Sequence, residues 1–109
     1  MMKGMGAHVD IELLVVPDCP NAPAAKKLLR AALDAAGLAD PGVRVTVIRS
    51  QREAEERGFV GSPTVLINGL DPFGEPGRPP AMACRIYPGE DGPTGLPPTG
   101  ELARALTDS

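Results

Sequence analysis

The chain has 109 residues, enough for one domain with a modest core and too few for two. A net charge of −3 with scattered lysines and arginines lacks the basic footprint that nucleic acid or an anionic membrane surface requires. Two cysteines and one histidine exclude a disulfide-dense scaffold and a four-cysteine metal centre, and they argue against a Ser/His/Asp or Cys/His triad.

Read in order, the N-terminal MMKGMGAHVD has no apolar signal-peptide core, and residues 1–8, with the lone His8, are expected to be disordered. The apolar run Ile11–Val16 reads as a strand stopped by Pro17. It and Val43–Ile48 are far shorter than the ~20 residues of a membrane span, so a cytoplasmic protein is expected. From Asn21 to Ala36, Ala25, Leu28, Leu29, Ala32, Leu33 and Ala36 recur at helical spacing, and Gly37 supplies the stop. Pro20 and Pro23 fit the first turn, which needs no intrahelical donor.

The β-branched run Val43–Ile48 predicts a second strand of sheet-interior type. Ser50-Gln51-Arg52-Glu53 predicts a capping box opening a short polar helix that ends near Gly58. Thr64–Ile67 reads as a third strand, followed by the turn signal Asn68-Gly69. Ala81–Tyr87 is expected as a fourth strand and Glu101–Leu106 as a final helix capped by Thr99. Seven glycines and eight prolines crowd residues 69–100, and the connection 69–81 is long for a hairpin, a size associated with lids or loose loops. The order β-α-β-α-β-β-α predicts one α/β domain, 1–109, with a mixed central sheet and helices on both faces.

Chemistry concentrates at two thiols. Cys19 follows a strand end and precedes a helix, where free backbone N–H groups and the helix dipole favour thiolate, while adjacent Asp18 opposes it. The same residue also reads as a small buried apolar side chain. Cys84, in PPAMACRIYP, reads either as a buried strand cysteine or as a thiol that resolves a mixed disulfide formed on Cys19. Asp71, Glu75 and Arg78 are expected to form local pairs, and Glu53, Glu55 and Glu56 a solvated face. No metal site is expected.

The motif GFVGSPTVLING, with Cys19 at its strand end and the element order above, resembles the thioredoxin-like superfamily from about Val9 to Ala105. The resemblance implies a thioredoxin-like fold in which Pro63 is cis and faces Cys19. It also implies that Ser62, Pro63 and Thr64 back a substrate, with the free backbone groups of Ser62 pairing with it as an added strand does. The C-x-x-C of family oxidoreductases is broken, because Ala22 stands where the second cysteine belongs. The set DCPNA, GSPT, DPFGEPGRPP and CRIY further resembles small bacterial thioredoxin-like proteins labelled selenoproteins or alkylmercury lyase-like. That label would imply two thiolates gripping mercury and a carboxylate protonating carbon, residue types that Cys19, Cys84 and Asp18 supply.

Two functions follow. One is a thiol–disulfide oxidoreductase or thiol-reactive protein with Cys19 as nucleophile, Cys84 as resolver and Asp18 modulating. Its partner would be a thiol or disulfide on a protein or a small molecule, with no cofactor, nucleic acid or membrane involved and a homo-oligomer left open. The other is a non-redox binding module on the same scaffold, holding a protein partner or a soft metal, or a structural domain whose cysteines merely pack.

Overall fold

A computed structural model describes residues 9–38, 42–74, 77–89 and 92–107. The expectations for residues 1–8, and for Glu75 in the long loop, lie outside these residues. The axis of the fold is strand β1 (Ile11–Val15), all five of whose residues are buried. It is buried because strands flank both of its edges and helices cover both of its faces. β2 (Val43–Val47) pairs with it in parallel and β3 (Thr64–Ile67) antiparallel, giving the order β2-β1-β3.

Alternation along β1 divides the core. Ile11, Leu13 and Val15 face helix α1 (Ala22–Ala35) and helix α3 (Thr99–Thr107), packing with Leu29, Leu33, Leu102 and Leu106. Leu14 faces the opposite side, packing with Ile48, Phe59 and Ala54 of helix α2 (Gln51–Arg57). The α/β architecture with helices on both faces is therefore the one that forms.

Local chemistry sets the helix ends. Gly37, at φ 77°, lets Leu38 N–H return to the Leu33 carbonyl at 2.8 Å and closes α1. Ser50 Oγ accepts from Glu53 N–H at 3.1 Å, and the Glu53 carboxylate accepts from Arg49 N–H at 2.8 Å, opening α2. Among the described residues no helix is long and apolar enough to cross a membrane.

Two expectations are corrected. β2 is an edge strand, with Arg44 and Val45 exposed, because a β-branched run packs equally well at an edge that a helix covers on one side. Residues 81–87 do not add a fourth strand to the central sheet. Tyr87–Gly89 (β4) instead forms a hairpin with Gly92–Thr94 (β5). The stretch before it lies alongside the approach to β3: Ala81 N–H donates to Phe59 O at 3.0 Å, Ser62 N–H to Ala83 O at 2.8 Å, and Arg85 N–H to Ser62 O at 2.9 Å. The result is a single parallel bridge between Ser62 and Cys84.

Within this strap burial alternates, with Cys84 and Ile86 outward and Arg85 and Tyr87 inward. Arg85 is only 1% exposed. Its guanidinium donates to Asp71 Oδ2 at 2.7 Å, to Thr64 Oγ1 at 3.2 Å and to the Phe73 carbonyl, and it lies 4.6 Å from the centre of the Tyr87 ring. Asp71 thus pairs across the loop with Arg85, where the sequence suggested a local partner.

A second buried charge sits in β1 itself. Glu12, 8% exposed, accepts from Thr46 Oγ1 at 2.6 Å, Arg57 Nη2 at 2.6 Å and Arg44 Nη2 at 3.4 Å. Burial pushes its pKa up, but these donors outweigh burial and hold it below the ordinary 4.5. Since the folded value is depressed, its stabilisation is complete above the unfolded value and is lost as pH falls through the folded one.

Two predictions follow from these charges. Glu12→Gln should lower unfolding free energy by about 1–3 kcal/mol at pH 7 and flatten the decline of stability below pH 4.5, as read from urea titrations across pH. Arg85→Ala should cost about 3–5 kcal/mol by stranding the Asp71 carboxylate. Arg85→Lys should recover only part of that, because an ammonium cannot span three acceptors as the planar fork does.

Candidate thiol site

The site lies where the C-terminal end of β1 turns into α1. Val16 leaves the strand, Asp18 adopts φ 58°, a left-handed conformation that aspartate tolerates, and Cys19 N–H returns to Val16 O at 3.3 Å. The Cys19 carbonyl then accepts from Ala22 N–H at 3.2 Å as the helix begins. Asn21 is the N-cap without a side-chain cap bond, and its amide lies against Gly95, where an ideal Cβ would stand 2.4 Å from the Asn21 nitrogen. Gly95, on the approach to α3, thus lies directly against the Asn21 side chain at the start of α1.

Cys19 is 7% exposed and packs into the same apolar cluster as Ala25 and Leu29. Asp18 beside it is exposed. Cys84, expected in a buried strand on one reading, is exposed and lies outside the regular strands. Both thiols are free.

What brings the two cysteine-bearing segments together is Ser62, which is fully buried. Its Oγ accepts from Val16 N–H at 3.1 Å, on the segment that leads to Cys19. Its N–H and carbonyl bond Ala83 and Arg85, the two neighbours of Cys84. The Ser62–Pro63 peptide is cis.

The residues expected to back a substrate thus differ from expectation in one respect. The Ser62 N–H and carbonyl are not offered outward but are bonded within the chain. The Pro63 carbonyl accepts from Tyr87 Oη at 2.5 Å, and Thr64 Oγ1 donates to Gly61 O at 2.6 Å while accepting from Arg85. Gly61, at φ 144°, sits so close to the strap that an ideal Cβ would come within 2.8 Å of Arg85 Cβ.

Three residues that shape this region escape a reading of the sequence. Arg85 and Tyr87 anchor the strap, and their signal is the inward alternation of a charge and an aromatic in CRIY. Glu12 lies on the α2 face of β1, and its signal is a carboxylate inside an apolar strand. Among the described residues no three or more His, Cys, Asp or Glu side chains converge as a metal would need.

Comparison with known proteins places the geometry in context. No family model and no solved structure matches the chain. Among curated proteins it is similar to the thioredoxin of Methanocaldococcus jannaschii, at 34% identity over 63 residues, covering 58% of this chain and 74% of that one. The alkylmercury lyase-like resemblance receives no support from these comparisons. The similarity to the thioredoxin spans more than two thirds of that relative's length, and the chain belongs to the thioredoxin family.

Proposed function

We propose that this protein carries out thiol–disulfide exchange through Cys19 and Cys84. The observation that supports the reading best is the convergence of both cysteine-bearing segments on Ser62, which ties Val16 through its hydroxyl and the neighbours of Cys84 through its backbone. The relative named thioredoxin supports redox chemistry in general.

In this scheme the Cys19 thiolate attacks one sulfur of a substrate disulfide, R–S–S–R′. A Cys19–S–S–R bond forms and R′–S⁻ leaves. Cys84, deprotonated, then attacks the Cys19 sulfur, which releases R–S⁻ and closes a Cys19–Cys84 disulfide. A dithiol returns both residues to thiols by the same exchange and is itself oxidised. The second thiol comes from the strap because Ala22 occupies the helical position that would otherwise hold it. Closing the bond requires the two alpha carbons to come within about 7 Å of each other.

A second reading, a structural domain whose cysteines merely pack, is favoured by one observation: Cys19 is packed into the apolar cluster, as a purely structural cysteine would be. Oxidation separates the two. With a small disulfide in slight excess, the wild-type chain should lose two hydrogens as an intramolecular disulfide, seen by intact mass and mapped by peptide digestion. Cys84→Ser should instead accumulate a stable mixed disulfide on Cys19. Modification confined to Cys84, with Cys19 untouched until the chain unfolds, would overturn thiol exchange and support the structural reading.

A further inference from the structure

We propose that the open edge of β2, together with the adjoining basic stripe of α1, is a docking site for an extended acidic segment of a partner protein. Neither thiol takes part, so the site stands apart from the exchange reaction. In a parallel ladder every second residue turns its N–H and its carbonyl toward the neighbouring strand, and the residues between turn theirs away. Ile48 N–H donates to Val15 O at 2.7 Å, which fixes that parity along β2. Arg44 and Thr46 therefore bond β1, whereas Val43, Val45 and Val47 present their backbone groups outward. Among the described residues no strand and no side chain pairs with that outer row.

Nothing within β2 guards this edge. Natural edges are commonly blunted by proline, a bulge or a charge, and here the outer row is three valines. The one charged residue of β2, Arg44, lies on the other face, where it pairs with Asp10 and Glu12. Val45 is 45% exposed, on the α1 side of the sheet with its partner Leu13. On that side an open groove of about 710 Å³ runs between Val43 and α1, lined by Lys26, Lys27, Arg30 and Asp34. Among the described residues neither lysine pairs with a carboxylate. The chain as a whole carries −3, so three cations beside one carboxylate make this stripe a local reversal of sign.

A polypeptide strand completes an unpaired backbone edge, which a phosphate polymer cannot do. Once added to β2, its side chains on the α1 face recur at every second residue, so carboxylates at alternate positions meet the cations of α1. A second copy of this chain fits less well. In an antiparallel pair of β2 edges it would bring only valines to that face. Its α1 would add three more cations and one more carboxylate to a site already short of negative charge.

The experiment titrates the full-length chain with two short capped peptides, one alternating glutamate with threonine and the other lysine with threonine, and follows backbone amides by NMR. In the free chain the amides of Val43, Val45 and Val47 should exchange quickly, and the glutamate peptide should slow them at least about fivefold. Its affinity should exceed that of the lysine peptide at least about tenfold at low ionic strength, and the preference should shrink with added salt. Lys26→Glu combined with Lys27→Glu should reverse it. Val45→Pro removes an outward N–H while keeping the bonds to β1, and should abolish the protection of Val43 and Val47. Should that variant fold poorly, the glutamate peptide N-methylated throughout tests the same backbone bonds from the other side, and it should not bind.

Equal affinity for the two peptides, no binding of either, or binding that leaves the three valine amides unprotected would overturn the proposal. So would slow exchange of Val45 in the free chain. Protection that grows with protein concentration would assign the edge to a second copy, and protection independent of it would mean that the chain covers the edge itself. Thiol exchange stands under every one of these outcomes.

Discussion

A serine with no solvent exposure dictates how this molecule is put together. Ser62 has three polar groups, and each must find a protein partner because water cannot reach them. The hydroxyl takes Val16 N–H from the end of the central strand, and the backbone takes Ala83 and Arg85 from a segment more than twenty residues further on. Without that segment, an N–H and a carbonyl at the entrance to β3 would be left to solvent. The glycine- and proline-rich third of the chain therefore acts as the satisfying partner of the sheet entrance rather than as a loose cover over it.

The cost of this arrangement is a cation in the interior. Burying the Arg85 guanidinium is unfavourable unless good geometry offsets the loss of water, and here a carboxylate, a hydroxyl, a carbonyl and an aromatic face all contribute. The chain has only three aromatic residues, and two of them, Phe73 and Tyr87, are placed edge to face beside this one arginine. Aliphatic packing dominates around α1 and α3, whereas the strap is held by directional contacts. Directional contacts specify one register for residues 83–87, which hydrophobic burial alone would leave free to slip.

Much of the architecture is legible from local chemistry. The 3.6-residue apolar period of α1, the Ser50–Glu53 cap, the stops at Gly37 and Gly58 and the Asn68-Gly69 turn depend on neighbours within a few residues, and they appear where expected. What resists reading is decided at long range. Nothing in VRVTVI distinguishes an edge from an interior strand, because the other side of β2 is open for reasons that lie elsewhere in the chain. Residues 81–87 do have a strand's alternation, yet their partner is the approach to β3 and not β3 itself. The Asp71–Arg85 pair bridges fourteen positions with no fixed spacing to betray it. At the site, the positions of Cys19 and Pro63 follow from punctuation by proline and helix onset. The exposure of each thiol does not, since one packs under α1 and the other depends on which way the strap alternates.

The strap also separates two design variables that a helical C-x-x-C binds together. In such a motif both sulfurs share one helical turn, so their spacing, exposure and local field change in concert. Here Cys19 belongs to a turn held by β1 and α1, while Cys84 is carried on a segment joined to β3 through a long connection and tied down at Ser62 and Asp71. Substitution or resizing around the exposed residues 77–79 can therefore shift the pose of one sulfur without disturbing the helix start that holds the other. A scaffold arranged in this way can diversify by drift in a surface loop, with the folding core and the first thiol left untouched.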